Sequence, residues 1–384
     1  MKTALKLLLA LLLLLVAGLG GVAGYFIATE HQPAPIEPVE VACEGRADGL
    51  VVGEPFTVLS WNLQYGASRR HRFFYDGGEA VHVPPEDVAW TVAAIQRVLR
   101  EVEPDLALLQ EVDRDSTRTG RKDQLPAFVE AVSATCTAAT PYHLSPFVPT
   151  PPHQFLGRVD MELANLTKGP MLHASRIALP LLAEARYRRV FNLKRALLVS
   201  EVPIQGWDHP LAIANTHLSA FSFGDGTMAQ QVEVLRQWIS DRPPGQPWIL
   251  AGDFNLLPPG FDKEQLQVER DLYADQDNPI SALLPTQLEA LGDQLDPANR
   301  TYLPFGATVP DRKIDYIFYG GPLRVEESNV LSQHNDISDH LPIVIRMVVP
   351  APVAAAPPPT APTSAQELLM RAEKAADGAL HPLD

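Results

Sequence analysis

Seven short apolar runs rich in β-forming residues constrain this chain most: Phe56–Ser60, Leu106–Gln110, Ala196–Val202, Leu211–Thr216, Trp248–Ala251, Ile314–Tyr319 and Pro342–Met347. Runs this short and this apolar read as buried strands. Two amphipathic helices stand between them. Asp87–Val102 sets Val88, Val92, Ile95, Leu99 and Val102 at three- and four-residue spacing, and Met228–Ile239 does the same with Val232, Leu235 and Ile239. Strands dominate and helices cover them, so the class is α/β or α+β with buried sheets. No internal repeat breaks the pattern.

The strands share a second feature: polar residues stand where they end, and a buried strand holds such side chains rigidly in a common cleft. Thr57–Ser60 ends in Trp61-Asn62, Leu106–Leu109 in Gln110-Glu111, and Leu211–Ala214 in Asn215-Thr216-His217. Trp248–Ala251 ends in Gly252-Asp253-Phe254-Asn255, Lys313-Ile314-Asp315-Tyr316 opens a strand, and Ser338-Asp339-His340 precedes the last one. Taken singly, each reads more readily as a turn, a cap or a solvated strand end. Taken as an ordered set, above all GDFN at 252–255 with SDH at 338–340, they resemble the endonuclease/exonuclease/phosphatase superfamily, which includes deoxyribonuclease I and neutral sphingomyelinases.

That resemblance covers nearly all of residues 55–349. It implies a deoxyribonuclease I-like four-layer sandwich, two packed mixed β-sheets flanked by helices, with a cleft at one end of the sheets. It also implies a hydrolase of phosphate esters. Such an ester repels nucleophiles, so an enzyme must neutralise its charge, deprotonate a water and stabilise the leaving oxygen. Glu111 and Asn62 offer the hard oxygen ligands that Mg²⁺ or Mn²⁺ takes, Glu111 being the principal one by resemblance. The same likeness gives Asp253 the water, Asn255 a phosphate oxygen, and His217 and His340 opposite flanks of the phosphate. Asp339 is expected to orient His340, and Asp315 to assist His217. Lys168, in a Leu166-Thr167-Lys168 stretch where many relatives carry Leu-Ser-Arg, and Arg195 are candidates for phosphate contact. Lys lacks the bidentate grip of Arg. His71, Asp76, His143, His153 and His173 are isolated and read as loop residues.

The N-terminus sets location. Lys2 and Lys6 precede Leu7–Ala28, 22 residues without a charge, and about 20 apolar residues span a bilayer as a helix. Glu30, Glu37, Glu40 and Glu44 follow, so the basic flank stays in the cytoplasm and the rest lies outside. Residues 1–28 are a membrane anchor or a cleaved signal peptide, since Gly21-Val22-Ala23 also suits cleavage. Proline-bearing residues 29–54 read as an extended linker, 55–349 as the catalytic domain, and Pro/Ala-rich 350–384 as a disordered tail with a short helix at Ser364–Leu380. An exported chain permits one disulfide between Cys43 and Cys136, its only cysteines. Of the glycosylation sequons at Asn165 and Asn299, the first falls on an expected buried strand.

Charge and missing motifs narrow the function. Lys+Arg 31 against Asp+Glu 46 gives a net −15, which excludes a basic nucleic-acid-coating protein. There is no GxxxxGK[ST] loop, GxSxG elbow or HExxH helix, which removes nucleotide triphosphatases, serine hydrolases and zinc proteases. The expected activity is phosphodiester hydrolysis on a lipid head group or small molecule, by a monomer held to the membrane by its N-terminus, with no stable nucleic-acid partner. A secreted or tethered endonuclease of the same mechanism is the alternative. A catalytically silent binding module is disfavoured because Asn62, Glu111, His217, Asp253, Asn255, Asp339 and His340 all keep the family residue. Substrate choice is expected from loops at His71–Pro85 and Pro141–Asp160.

Overall fold

The computed structural model describes residues 2–351 apart from 46–47, 222–223, 275, 277 and 285–287. Met1–Pro350 form one unit; the expected tail and its helix lie outside the described residues. The strands in chain order are β1 (Ile36–Val39), β2 (Val41–Cys43), β3 (Leu50–Val51), β4 (Phe56–Asn62), β5 (Leu106–Asp113), β6 (Cys136–Val148), β7 (Gly157–Thr167) and β8 (His173–Ala178). They continue with β9 (Ala196–Val202), β10 (Ile204–Gln205), β11 (Leu211–His217), β12 (Trp248–Asp253), β13 (Leu288–Glu289), β14 (Asp315–Gly320), β15 (Arg324–Val330) and β16 (Ile343–Val348). The helices are α1 (Lys2–Ala28), α2 (Pro85–Val102), α3 (Leu125–Val132), α4 (Arg186–Arg189), α5 (Thr227–Ser240) and α6 (Arg270–Ala274).

Two mixed seven-stranded sheets carry the fold, in the orders β1-β8-β9-β11-β12-β14-β13 and β15-β16-β4-β5-β7-β6-β2. Alternation within the buried strands explains why they stack. Val58, Leu106 and Leu108 face Ile213, Ile249 and Ile317 between the sheets, whereas Leu59, Ala107 and Leu109 face outward to Ile95, Val98 and Leu99 of α2 and Phe128 of α3. On the far side, Val232, Leu235 and Trp238 of α5 cover Leu250 and Phe318. The result is the deoxyribonuclease I-like four-layer sandwich. α2 begins with Pro85 in its first turn, followed by Glu86 and Asp87 at the positive end of its dipole, and stops at Glu103 in the left-handed region.

A polar tie crosses the core. Asn215 of β11 donates from Nδ2 to the carbonyls of Leu109 (3.0 Å) and Ala164 (3.1 Å), and its Oδ1 accepts from Gln110 Nε2 at 2.8 Å. Asn215→Ala leaves these buried groups without that partner and is expected to lower stability by about 2–3 kcal/mol. An unchanged urea midpoint would show that the tie is energetically idle.

The described part of 29–54 is not a free linker. β1 pairs with β8 on one sheet, β2 with β6 on the other, and β3 with β10. Pro38 is tolerated because β1 is an edge strand. Cys43 and Cys136 stand opposite each other in the β2–β6 register and are disulfide-bonded. Beyond Lys6, α1 carries no charge; it is long enough to cross a membrane, and its most apolar stretch is unburied.

Candidate active site

The two sheets deliver their polar strand ends to one cleft of about 1000 Å³. In one sheet, β11 and β12 run parallel with His217 beside Asp253, and β12 and β14 run antiparallel with Asp253 beside Asp315. Three functional side chains therefore form a row across neighbouring strands. Gly252 is required there: it has φ +139°, and a Cβ on it would meet Thr216 O at 1.9 Å. In the other sheet, Asn62 lies beside Gln110 in the parallel β4–β5 pair, with Glu111 next. The β5–β7 register shifts between Leu109 and Val112, and Glu111 at that bulge has φ +59°. The bulge turns its carboxylate into the cleft. Asn255 is likewise left-handed, at φ +54°.

The groups contact one another across the sheets. Asn62 Nδ2 donates to Glu111 Oε1 (3.2 Å) and Asp253 Oδ2 (3.0 Å). Asp253 Oδ2 also lies 3.3 Å from His217 Nε2 and 3.5 Å from His340 Nε2. Asp253 Oδ1 accepts from the Asn255 amide at 2.9 Å. His340 Nδ1 meets both oxygens of Asp315, at 3.0 and 2.9 Å, and Thr301 Oγ1 donates to Asp315 Oδ2 at 2.6 Å. Tyr302 packs against the His340 ring and Trp61 Nε1 donates to the His340 carbonyl. Arg195 is partly buried, donates to the His217 carbonyl at 3.3 Å and lines the cleft.

Electrostatics separate the two histidines. Burial lowers His217 far below the usual imidazole value, with Arg195 and His340 adding to it, so it is neutral. Tyr142 O–H at 3.1 Å faces its Nδ1, which favours the tautomer with Nε2–H toward Asp253. Burial opposes the charge on His340 too, but Asp315 and Asp253 outweigh it and hold that imidazole well above its ordinary value. Burial also raises Asp253 and Glu111, the latter helped by Asp339.

Four expectations need correcting. Asp315 serves His340, not His217, because its register places it opposite Asp253 and against the His340 ring. Asp339 bonds Ser338 Oγ and lines the cleft, with no hydrogen bond to His340 among the described residues. Lys168 is remote: it follows β7 at the start of β5, opposite the end that carries Glu111, and donates to the Glu103 carbonyl at 2.7 Å. Asn62 turns its nitrogen toward the carboxylates, while its oxygen accepts from the Gln64 amide at 3.0 Å, so its link to Glu111 in this arrangement is a hydrogen bond.

Residues outside the expected set also build the site. Tyr142 holds His217, and buried Arg118 is paired to Asp113 at 2.7 Å and lies 3.7 Å from the centroid of the Tyr65 ring. Asp76, read as a loop residue, is pushed up to about 7 by burial, with Asp339 and Glu111 adding to it. None belongs to a motif; only position in the His71–Pro85 loop hinted at Asp76. His143 lines the cleft, with its Nε2 3.0 Å from the Phe191 carbonyl. Burial depresses it to about 3 from 6.5, so the unfolded chain binds this proton first as pH falls. Stability is expected to decline from about pH 6.5 toward 3, by about 2 kcal/mol at pH 5 from this residue alone. His143→Gln should flatten that acid limb, and an unchanged slope would refute the assignment.

The donor set suits a hard divalent cation. Glu111, partly buried, and Asp339, buried, are carboxylates facing the cleft, and among the described residues neither is paired with Lys or Arg at contact distance. Asp253, Asp315 and His340 also lie close enough to share an ion, but Asp315 is already engaged by His340 and Thr301. An acid-lined cleft with a charged and a neutral histidine, at one end of a four-layer sandwich, defines a phosphoesterase-type site. Residues 59–340 match the Endonuclease/Exonuclease/phosphatase family, and the chain belongs to it. It is a metal-dependent hydrolase of phosphate esters. Among solved structures, it is similar to an endonuclease/exonuclease/phosphatase from Beutenbergia cavernae DSM 12333, with 22% identity, TM-score 0.56, and 78% of this chain and 73% of that one covered. It is also similar to a family protein from Leptotrichia buccalis C-1013-b, with 14% identity, TM-score 0.50 and coverage of 76% and 99%. No curated protein matches the sequence.

Proposed function

We propose that the protein is a Mg²⁺- or Mn²⁺-dependent phosphodiesterase acting outside the cytoplasmic membrane on a lipid head group or small phosphodiester. The convergence of Glu111, Asp339, Asp253, His217 and His340 in one buried cleft carries the reading. Residues 55–349 make the catalytic domain, with β1 and β2 strapped to the edges of its two sheets. Glu111 and Asp339 would hold the metal, Asp339 replacing Asn62 in the expected pair. Bound there, the metal neutralises phosphate charge and stabilises the leaving oxygen. Asp253, raised by burial and bounded by both histidines, orients and deprotonates the attacking water. His340, kept cationic by Asp315, faces the phosphate with its Nε2 side. Arg195, Asn255 and neutral His217 bind the remaining oxygens. Tyr142 fixes the His217 tautomer.

Substrate size follows from the walls. Phe74, Tyr75, Phe191, Leu272 and Tyr273 line the cleft, which gives an apolar surround for a small or lipid-borne group. Lys168, Lys194 and Arg158 do not add to Arg72, Arg118, Arg188 and Arg195, the arginines that line the cleft. Lys168 is remote, Lys194 pairs with Glu30 at 3.0 Å, and Arg158 pairs with Asp115 at 2.7 Å. Initial rates on phospholipid vesicles and plasmid DNA at equal Mg²⁺ test this. Head-group release without nicking is expected, and nicking without release would move the substrate to DNA. Topology has its own test: a reporter active only after export, fused after residue 350, should be active, whereas activity of a cytoplasm-only reporter would reverse the orientation.

A further inference from the structure

We infer that α4 and its surroundings form a docking surface that seats the cleft mouth on the anionic head-group layer of the membrane holding α1. The inference rests on the anchored phosphodiesterase reading and specifies how that enzyme meets its substrate. Near the end of α1, Phe26 packs edge-on against Phe191 at 4.8 Å between centroids and stacks near Phe147 at 6.3 Å. Two residues beyond α1, Glu30 forms a buried ion pair with Lys194 at 3.0 Å. The point where the chain would leave the bilayer is thus clamped to the segment that follows α4.

α4 has the chemistry of a membrane surface. Its sequence is Arg186-Tyr187-Arg188-Arg189, all four residues are exposed, and Tyr187 is 69% accessible. None of the three arginines has a carboxylate partner among the described residues. Three arginines without a carboxylate partner within four residues make a local basic patch on a chain whose net charge is −15. Guanidinium groups beside a Tyr suit the head-group depth of an anionic leaflet. Phe155, 46% exposed and edge-on to Phe147, adds an apolar contact on the same rim.

The rim opens on the chemistry. Tyr187, Arg188 and Phe191 line the same cleft as Glu111 and His340. A docked rim lets a lipid head group enter the cleft while its acyl chains stay in the bilayer. Continuity with α1 and charge complementarity select the membrane surface over a protein partner.

The test uses the full chain in lipid nanodiscs, with Tyr187→Trp as the reporter and brominated lipids as quencher. The fluorescence gained over the parent chain should be quenched in phosphatidylglycerol discs and much less in phosphatidylcholine discs. Arg186→Gln and Arg189→Gln should each lower the docked fraction's equilibrium constant about fivefold. No quenching in anionic discs, or quenching indifferent to both substitutions, overturns the docking. Mass spectrometry showing a mature chain without α1 overturns it as well. Hydrolysis of bis(4-nitrophenyl) phosphate in the same discs reads the enzyme assignment separately. Activity without quenching removes only the docking, and quenching without activity supports docking while removing the phosphodiesterase reading.

Discussion

His340→Ala is expected to lower turnover by about 1000-fold with the fold intact by circular dichroism, the scale of losing an acid-base and charge-stabilising group. The size of the effect comes from the environment of that ring. Burial alone would leave it neutral, but Asp315 at 2.9 Å and Asp253 at 3.5 Å hold it cationic where a phosphate would lie. Asp315→Asn removes the partner and keeps the shape. It should lower kcat by about 100-fold with little change in KM, as expected of a residue that acts through its neighbour. Equal loss in Asp339→Asn but none in Asp315→Asn would restore the pairing expected from sequence.

Glu111→Gln is the second large effect. The bulge that gives Glu111 its φ of +59° aims a mostly buried carboxylate into the cleft, and Gln keeps that shape without the charge. Turnover at fixed Mg²⁺ should fall at least about 100-fold. Mn²⁺ affinity, measured by calorimetry, should fall with it. Unchanged affinity with lost turnover would shift the ion toward Asp253, Asp315 and His340, the other group of ligands close enough to share one.

The residues legible in the sequence were those at the ends of apolar strands. Asn62, Glu111, His217, Asp253 and His340 follow such runs or precede one, and parallel pairing brings the ends together. Which carboxylate meets which histidine was not legible, because it depends on the β12–β14 register that sets Asp315 opposite Asp253. Tyr142 and Arg118 reach the site from β6 and from the loop after β5, with no local signal. β6, the partner of the expected strand at Asn165, gave no signal because Pro141 and Pro146 interrupt it. The structure absorbs both prolines where the register shifts, between Pro141 and His143 and between Ser145 and Val148. Edge strands β1 and β15 were hidden by Pro38 and by the charged Arg324–Val330 sequence, features that protect exposed edges.

Central to the account is a metal-dependent phosphodiester hydrolysis run by the Glu111 end of this cleft. Its most direct measurement is hydrolysis of bis(4-nitrophenyl) phosphate by the full chain before and after EDTA, with Mg²⁺ or Mn²⁺ then restored. Loss of activity with chelator and recovery with either ion are expected in the parent chain and not in Glu111→Gln. Hydrolysis that persists in EDTA, or a Glu111→Gln chain that recovers as fully as the parent, would contradict the account.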